Sequence, residues 1–170
     1  AFSLGWEGNA RAAIPLVEML YDRDSEVQQA AVNALSNIND DRFFTLMVDL
    51  LKTGPFQQKK TILFNLLKFN SKRDEVVSIY INFLEHPDDE LRLDALVLLG
   101  SLVEPLDCAD IYINCLEDRY REIRRVALQR LSQLPSPVPL KIMEKIEMML
   151  WDPDPVIKKM AQERIIVRSR

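Results

Sequence analysis

The chain has 170 residues, 48% of them hydrophobic, only 8% aromatic, and a formal charge of −4. That is ample apolar material for a core, and the acidic balance argues against a general nucleic-acid binder, which usually carries a basic excess. No apolar run approaches the ~18 residues needed to cross a bilayer.

Leu20, Leu51, Leu84, Leu116 and Leu150 recur at spacings of 31, 33, 32 and 34 residues. Seven residues after each marker come Val27, Gln58, Leu91, Ile123 and Ile157; eleven after, Ala31, Ile62, Ala95, Ala127 and Ala161; fifteen after, Leu35, Leu66, Leu99, Leu131 and Ile165. A period in this range without a recurring strand signal predicts stacked helical hairpins, each too small to bury its apolar face alone. The expected fold is all-α, a right-handed α-solenoid of about five hairpins forming a single domain over 1–170.

Residues 1–9 read as the tail of a preceding repeat, because Leu4 stands 31 residues before Leu35. The chain is therefore expected to be a piece of a longer solenoid. The first unit, 10–40, reads as helices over 10–21 and 25–38 around Asp22-Arg23-Asp24-Ser25, with Pro15 expected to kink the first helix. The second, 41–72, reads as helices over 41–53 and 57–69. It is the least regular: Gly54-Pro55 replaces the Asp turn, and Gln58 and Ile62 replace the aliphatic and small residues. The third, 73–104, reads as 73–86 and 89–103 around His86-Pro87-Asp88-Asp89. The fourth, 105–137, reads as 106–118 and 121–134, and the fifth, 138–170, as 139–151 and 155–168 around Asp152-Pro153-Asp154-Pro155. Each second helix repeats large, small, large at intervals of four, one stripe of a 3.6-residue helix.

Cys108 and Cys115 lie about 10 Å apart if they share a helix, at ~1.5 Å rise per residue, too far for a disulfide. They read as small apolar core groups in a reducing compartment, the cytoplasm. His86 is the only histidine and sits in a turn. Neither histidine nor cysteine supplies a metal-ligand set, no glycine-rich phosphate loop occurs, and no nucleophile has a base at a suitable spacing. No catalytic residue, cofactor or metal is expected, and the chain is read as a non-enzyme.

Ala13-Ile14-Pro15-Leu16-Val17-Glu18-Met19-Leu20, an Asp-containing turn, then Glu26-Val27-Gln28-Gln29-Ala30-Ala31-Val32-Asn33-Ala34-Leu35 resemble a HEAT repeat. The resemblance is to the short kind that bacterial proteins share with phycobilisome lyase subunits. Leu91-Arg92-Leu93-Asp94-Ala95-Leu96 and Ile123-Arg124-Arg125-Val126-Ala127-Leu128 resemble the same second-helix consensus. The resemblance implies a fold and an extended binding surface; it is almost silent on activity.

In such stacks the exposed side of the second helices lines the inner face. There the pattern places Lys59, Lys60, Arg92, Leu93, Arg124, Arg125, Lys158 and Lys159, followed by Leu63, Phe64 and Leu96 in the middle units. A basic and apolar face of this kind suits an acidic amphipathic protein segment. Two readings stand beside it. The resemblance also implies a ladder in which Arg92, Arg124 and Lys158 pair with turn aspartates, for which Asp22, Asp118 and Asp152 are placed. Leu63 and Phe64 belong to the core if the irregular second unit is shifted in register. The favoured function is a non-catalytic protein–protein interaction scaffold. The alternatives are an accessory subunit of a chromophore lyase, suggested by the repeat type alone, and a HEAT-like DNA glycosylase, opposed by the net charge.

Overall fold

The computed structural model describes residues 10–38 and 40–168. Ten helices follow one another along them: α1 (Ala10–Met19), α2 (Ser25–Ile38), α3 (Asp41–Thr53), α4 (Phe56–Leu66), α5 (Arg73–Phe83), α6 (Asp89–Leu102), α7 (Ala109–Cys115), α8 (Arg121–Ser132), α9 (Leu140–Met148) and α10 (Pro155–Arg168). Short 3-10 turns cover Asn70–Lys72 and Met149–Trp151. No strand occurs among the described residues. No helix end departs from its expected place by more than three residues. Pro15 lies inside α1 as expected. The expected tail over 1–9, with Leu4, lies outside the described residues.

The turns start the helices where aspartates offer acceptors to orphan backbone N–H groups. Asp24 accepts from Glu26 N at 2.8 Å, Asp88 from Glu90 N at 3.0 Å and Leu91 N at 3.1 Å, and Asp154 from Val156 N at 2.8 Å. Between hairpins, Asp40 does the same for α3 through Arg42 N at 2.9 Å. The second unit replaces this device. Gly54 ends α3 with its N–H on the Leu50 carbonyl, and Pro55 opens α4 with no side-chain cap. A Cβ at Gly54 would stand 2.5 Å from Gln58 Oε1 and 2.7 Å from the Leu50 carbonyl, so only glycine allows this close approach.

The chain divides into two compact units, Ala1–Val76 and Val77–Arg170, with the boundary inside α5. In the first, α2 packs on α1, α3 and α4. In the second, α6, α8 and α10 stack in turn, with α7 and α9 against them. The expected interior stripe is buried almost throughout: Ala31, Leu35, Ile62, Leu66, Leu91, Ala95, Leu99, Ile123, Ala127, Leu131, Ile157 and Ala161. One further position joins it. Twelve residues after the markers stand Val32, Leu63, Leu96 and Leu128, all fully buried, whereas Gln162 in the fifth unit is exposed. Within each compact unit a second helix can meet more than one neighbour, as α4 meets α2 and α3, and α8 meets α6, α7 and α10, so its buried arc is wider than a single stripe. Cys108 and Cys115 are both free and buried, and burial pushes the Cys115 thiol up to about 12.

Candidate functional site

In the second compact unit, Val77–Arg170, the cations expected to line a binding face are largely tied down. Arg92 donates Nε to one oxygen of Asp118 at 3.0 Å and Nη2 to the other at 2.9 Å. It also donates Nη1 to the His86 and Pro87 carbonyls and Nη2 to Asp89 at 2.7 Å. One repeat on, Arg124 grips Asp152 in the same way and donates Nη1 to the Asp118 and Arg119 carbonyls. The ladder therefore exists at both steps, and Arg92 and Arg124 are structural rather than outward-facing. Lys158, at the same position, is half-buried and adds its positive charge near Asp152. Arg125 pairs with Glu122 at 2.7 Å, and Lys159 lies 3.9 Å from Glu163.

Arg119 reaches across to Asp89 and the Pro87 carbonyl at the edge of an open surface hollow of about 340 Å³ lined by Leu84, Glu85, His86, Pro87, Arg92, Asp118 and Arg119. The hollow's two guanidinium groups are matched by Asp89 and Asp118, while the Glu85 carboxylate is exposed to solvent. His86 belongs to the turn: its Nδ1 accepts from Asp88 N at 3.1 Å and its ring stacks on Phe83. Among the described residues no group of three or more His, Cys, Asp or Glu is placed to hold a metal ion. No helix there is long and apolar enough to cross a membrane.

Two of the expected contact residues are displaced from the surface. Leu63 and Leu96 are fully buried at the added core position described above, so they cannot meet a partner. Leu93 is half-buried and its neighbour Val97 is exposed.

The first compact unit is different. Phe64 is 50% exposed and Phe56 40%, large values for phenylalanine. Lys60 sits over the Phe56 ring at 5.4 Å. Lys59 is half-buried and makes no ion pair among the described residues. Further along, Lys68 donates to Asn37 Oδ1 at 2.7 Å and Asn65 to Asn33 Oδ1 at 2.8 Å, holding α4 beside α2. Residues 50–73 contain six cations, Lys52, Lys59, Lys60, Lys68, Lys72 and Arg73, and no Asp or Glu. That acid-free stretch in a net-acidic chain was the readable signal for this face, and it also marks Phe56 and Lys68, which the repeat pattern alone does not.

Against known families, residues 9–38 match the Armadillo/beta-catenin-like repeat model. No curated protein matches the chain. Among solved structures, an engineered protein from a structural genomics consortium is 21% identical with a TM-score of 0.52, over 94% of this chain and 81% of that one. A chain from the complex of CpcE and CpcF of phycocyanin lyase from Nostoc sp. PCC7120 is 21% identical with a TM-score of 0.42. That match covers 95% of this chain and 63% of the other. The chain is an all-α helical-repeat protein.

Proposed function

We propose that the protein is a non-catalytic scaffold of HEAT-like repeats that docks an acidic, amphipathic segment of another protein on the exposed face of α4. The observation that carries this reading is the pair of exposed phenylalanines, Phe56 and Phe64, set among Lys59, Lys60 and Lys68 on an acid-free stretch. Apolar surface of this size left in water favours a partner, and the cations select a negatively charged one. HEAT-like identity is supported by the two-helix units, the Asp turns and the Arg-to-Asp ladder. Two free, buried cysteines fit a reducing compartment, the cytoplasm.

The test is fluorescence anisotropy with labelled acidic amphipathic peptides, comparing the chain with a Phe64→Ser, Lys59→Glu variant of unchanged helicity. Binding by the original and at least ten-fold weaker binding by the variant supports the reading. Equal affinities contradict it, and preference for a DNA duplex, with a steep loss as salt rises, would replace it with nucleic-acid binding.

A further inference from the structure

The second helix of the first hairpin carries a row of neutral polar side chains, one per turn: Ser25, Asn33 and Asn37 are exposed and Gln29 is half-buried. Donors on α4 and in the turn after it orient two of them. Asn65 Nδ2 gives one hydrogen bond to the Thr61 carbonyl at 2.8 Å and another to Asn33 at 2.8 Å. A carbonyl only accepts, so Asn65 presents its NH2 on that side and Asn33 must answer with its oxygen. Lys68 Nζ, which only donates, fixes the Asn37 oxygen toward itself at 2.7 Å. Both amides are exposed, and neither NH2 meets an acceptor among the described residues. Two pre-oriented donor groups therefore stand one helical turn apart, about 6 Å along α2.

That spacing matches one kind of chain. In an extended segment the carbonyls of residues two apart point the same way, roughly 6.6–6.8 Å from one another. A helical segment offers no such row, because its carbonyls are bonded along its own axis. Asn65 meets Asn33 at an offset of 32 residues and Lys68, just past α4, meets Asn37 at 31, so Phe64, next to Asn65 in the chain, stands near the level of Asn33. A chain lying on the two amides thus meets the exposed Phe64 ring at one level and the Lys68 ammonium, held only by a neutral amide, at the next.

From these positions we infer that Asn33 and Asn37 receive the backbone of an extended peptide carrying an apolar residue and an acidic residue two positions apart. The inference rests on the docking reading above and fixes the partner's conformation and local sequence.

The test uses the full chain, isotopically labelled, and a short Ser/Thr peptide containing one Ile and one Asp two positions apart. Side-chain NH2 signals of Asn33 and Asn37 are followed by NMR as the peptide is added. Both signals should shift together, and an Asn33→Ala, Asn37→Ala variant should bind roughly ten-fold more weakly, as expected for two lost hydrogen bonds. Binding that shifts signals around Phe64 but leaves both Asn NH2 groups unmoved overturns the extended-backbone inference and leaves the docking reading standing. If neither this peptide nor the acidic amphipathic peptides shift any signal, both fall. If single-stranded oligothymidylate moves the two NH2 groups and the peptide does not, the amides serve a nucleic acid and the inference is overturned.

Discussion

Arg124 holds Asp152 through two parallel hydrogen bonds, Nε to one carboxylate oxygen at 2.8 Å and Nη2 to the other at 3.2 Å, tying the fourth hairpin to the turn of the fifth. The Arg124 side chain is only 11% exposed and that of Asp152 only 1%. Removing one partner of a buried pair strands the other, so Arg124→Met should cost about 3 kcal/mol. The exposed pair Lys141 and Asp110 should contribute less than about 1 kcal/mol. Urea unfolding of Arg124→Met and Lys141→Met measures the contrast; similar losses would show that the ladder carries no special weight.

The same pair sets an acid limit. Burial alone would raise the Asp152 carboxyl, but the Arg124 hydrogen bond, the Asp154 N–H and nearby positive charge outweigh it and hold it below its ordinary 3.8. Asp89 is held low as well, by Arg92 and then Arg119. A depressed folded-state pKa gives stability that is fully present above the unfolded value and lost as pH falls through the folded one. Stability should thus decline below about pH 4, and less steeply in Asp152→Asn. Denaturation midpoints across that range report it, and parallel slopes would remove Asp152 from the explanation.

Gln58 fills a position that is aliphatic in the other four units, yet it is fully buried, and its Nε2 donates to the Leu20 carbonyl at 2.7 Å. Gln58→Leu should therefore destabilise the first compact unit by about 1–2 kcal/mol despite restoring the repeat pattern, because that carbonyl loses its donor. A thermal melt that rises in Gln58→Leu would contradict this.

Gly100 makes room for two side chains from neighbouring helices. A Cβ there would stand 2.9 Å from Tyr112 Oη and 2.9 Å from both Nε and Nη2 of Arg130. The Tyr112 hydroxyl is buried without a hydrogen-bond partner among the described residues. Tyr112→Phe should cost nothing, or stabilise by up to about 1 kcal/mol. Gly100→Ala should be harmful in the original chain and better tolerated beside Tyr112→Phe. A double-mutant cycle with zero coupling would refute the shared space.

The hairpins were legible because a period of 31 to 34 residues repeats the same apolar spacing five times, and because Asp24, Asp88 and Asp154 mark helix starts chemically. The surface was less so. Leu63 and Leu96 follow the small residue of the stripe and look outward on an isolated helix; stacking against neighbours buries them, and stacking is not written within one helix. Arg92 and Arg124 look like Lys59 in sequence. The difference is the partner: Asp118 and Asp152 stand two residues after their markers, whereas Thr53 and His86 occupy that place in the second and third units. The amide row on α2 was hidden for another reason. Asn33 and Asn37 acquire direction only when Asn65 and Lys68 come alongside.

Hydrogen–deuterium exchange of the whole chain, with and without the tightest-binding acidic amphipathic peptide, tests the docking face most directly. Docking on the first unit predicts slowed exchange over residues 25–38 and 56–66, with none over 121–132 and 155–168. Protection of the latter pair, with α2 and α4 unchanged, would contradict it and move the partner to the cations of the second unit.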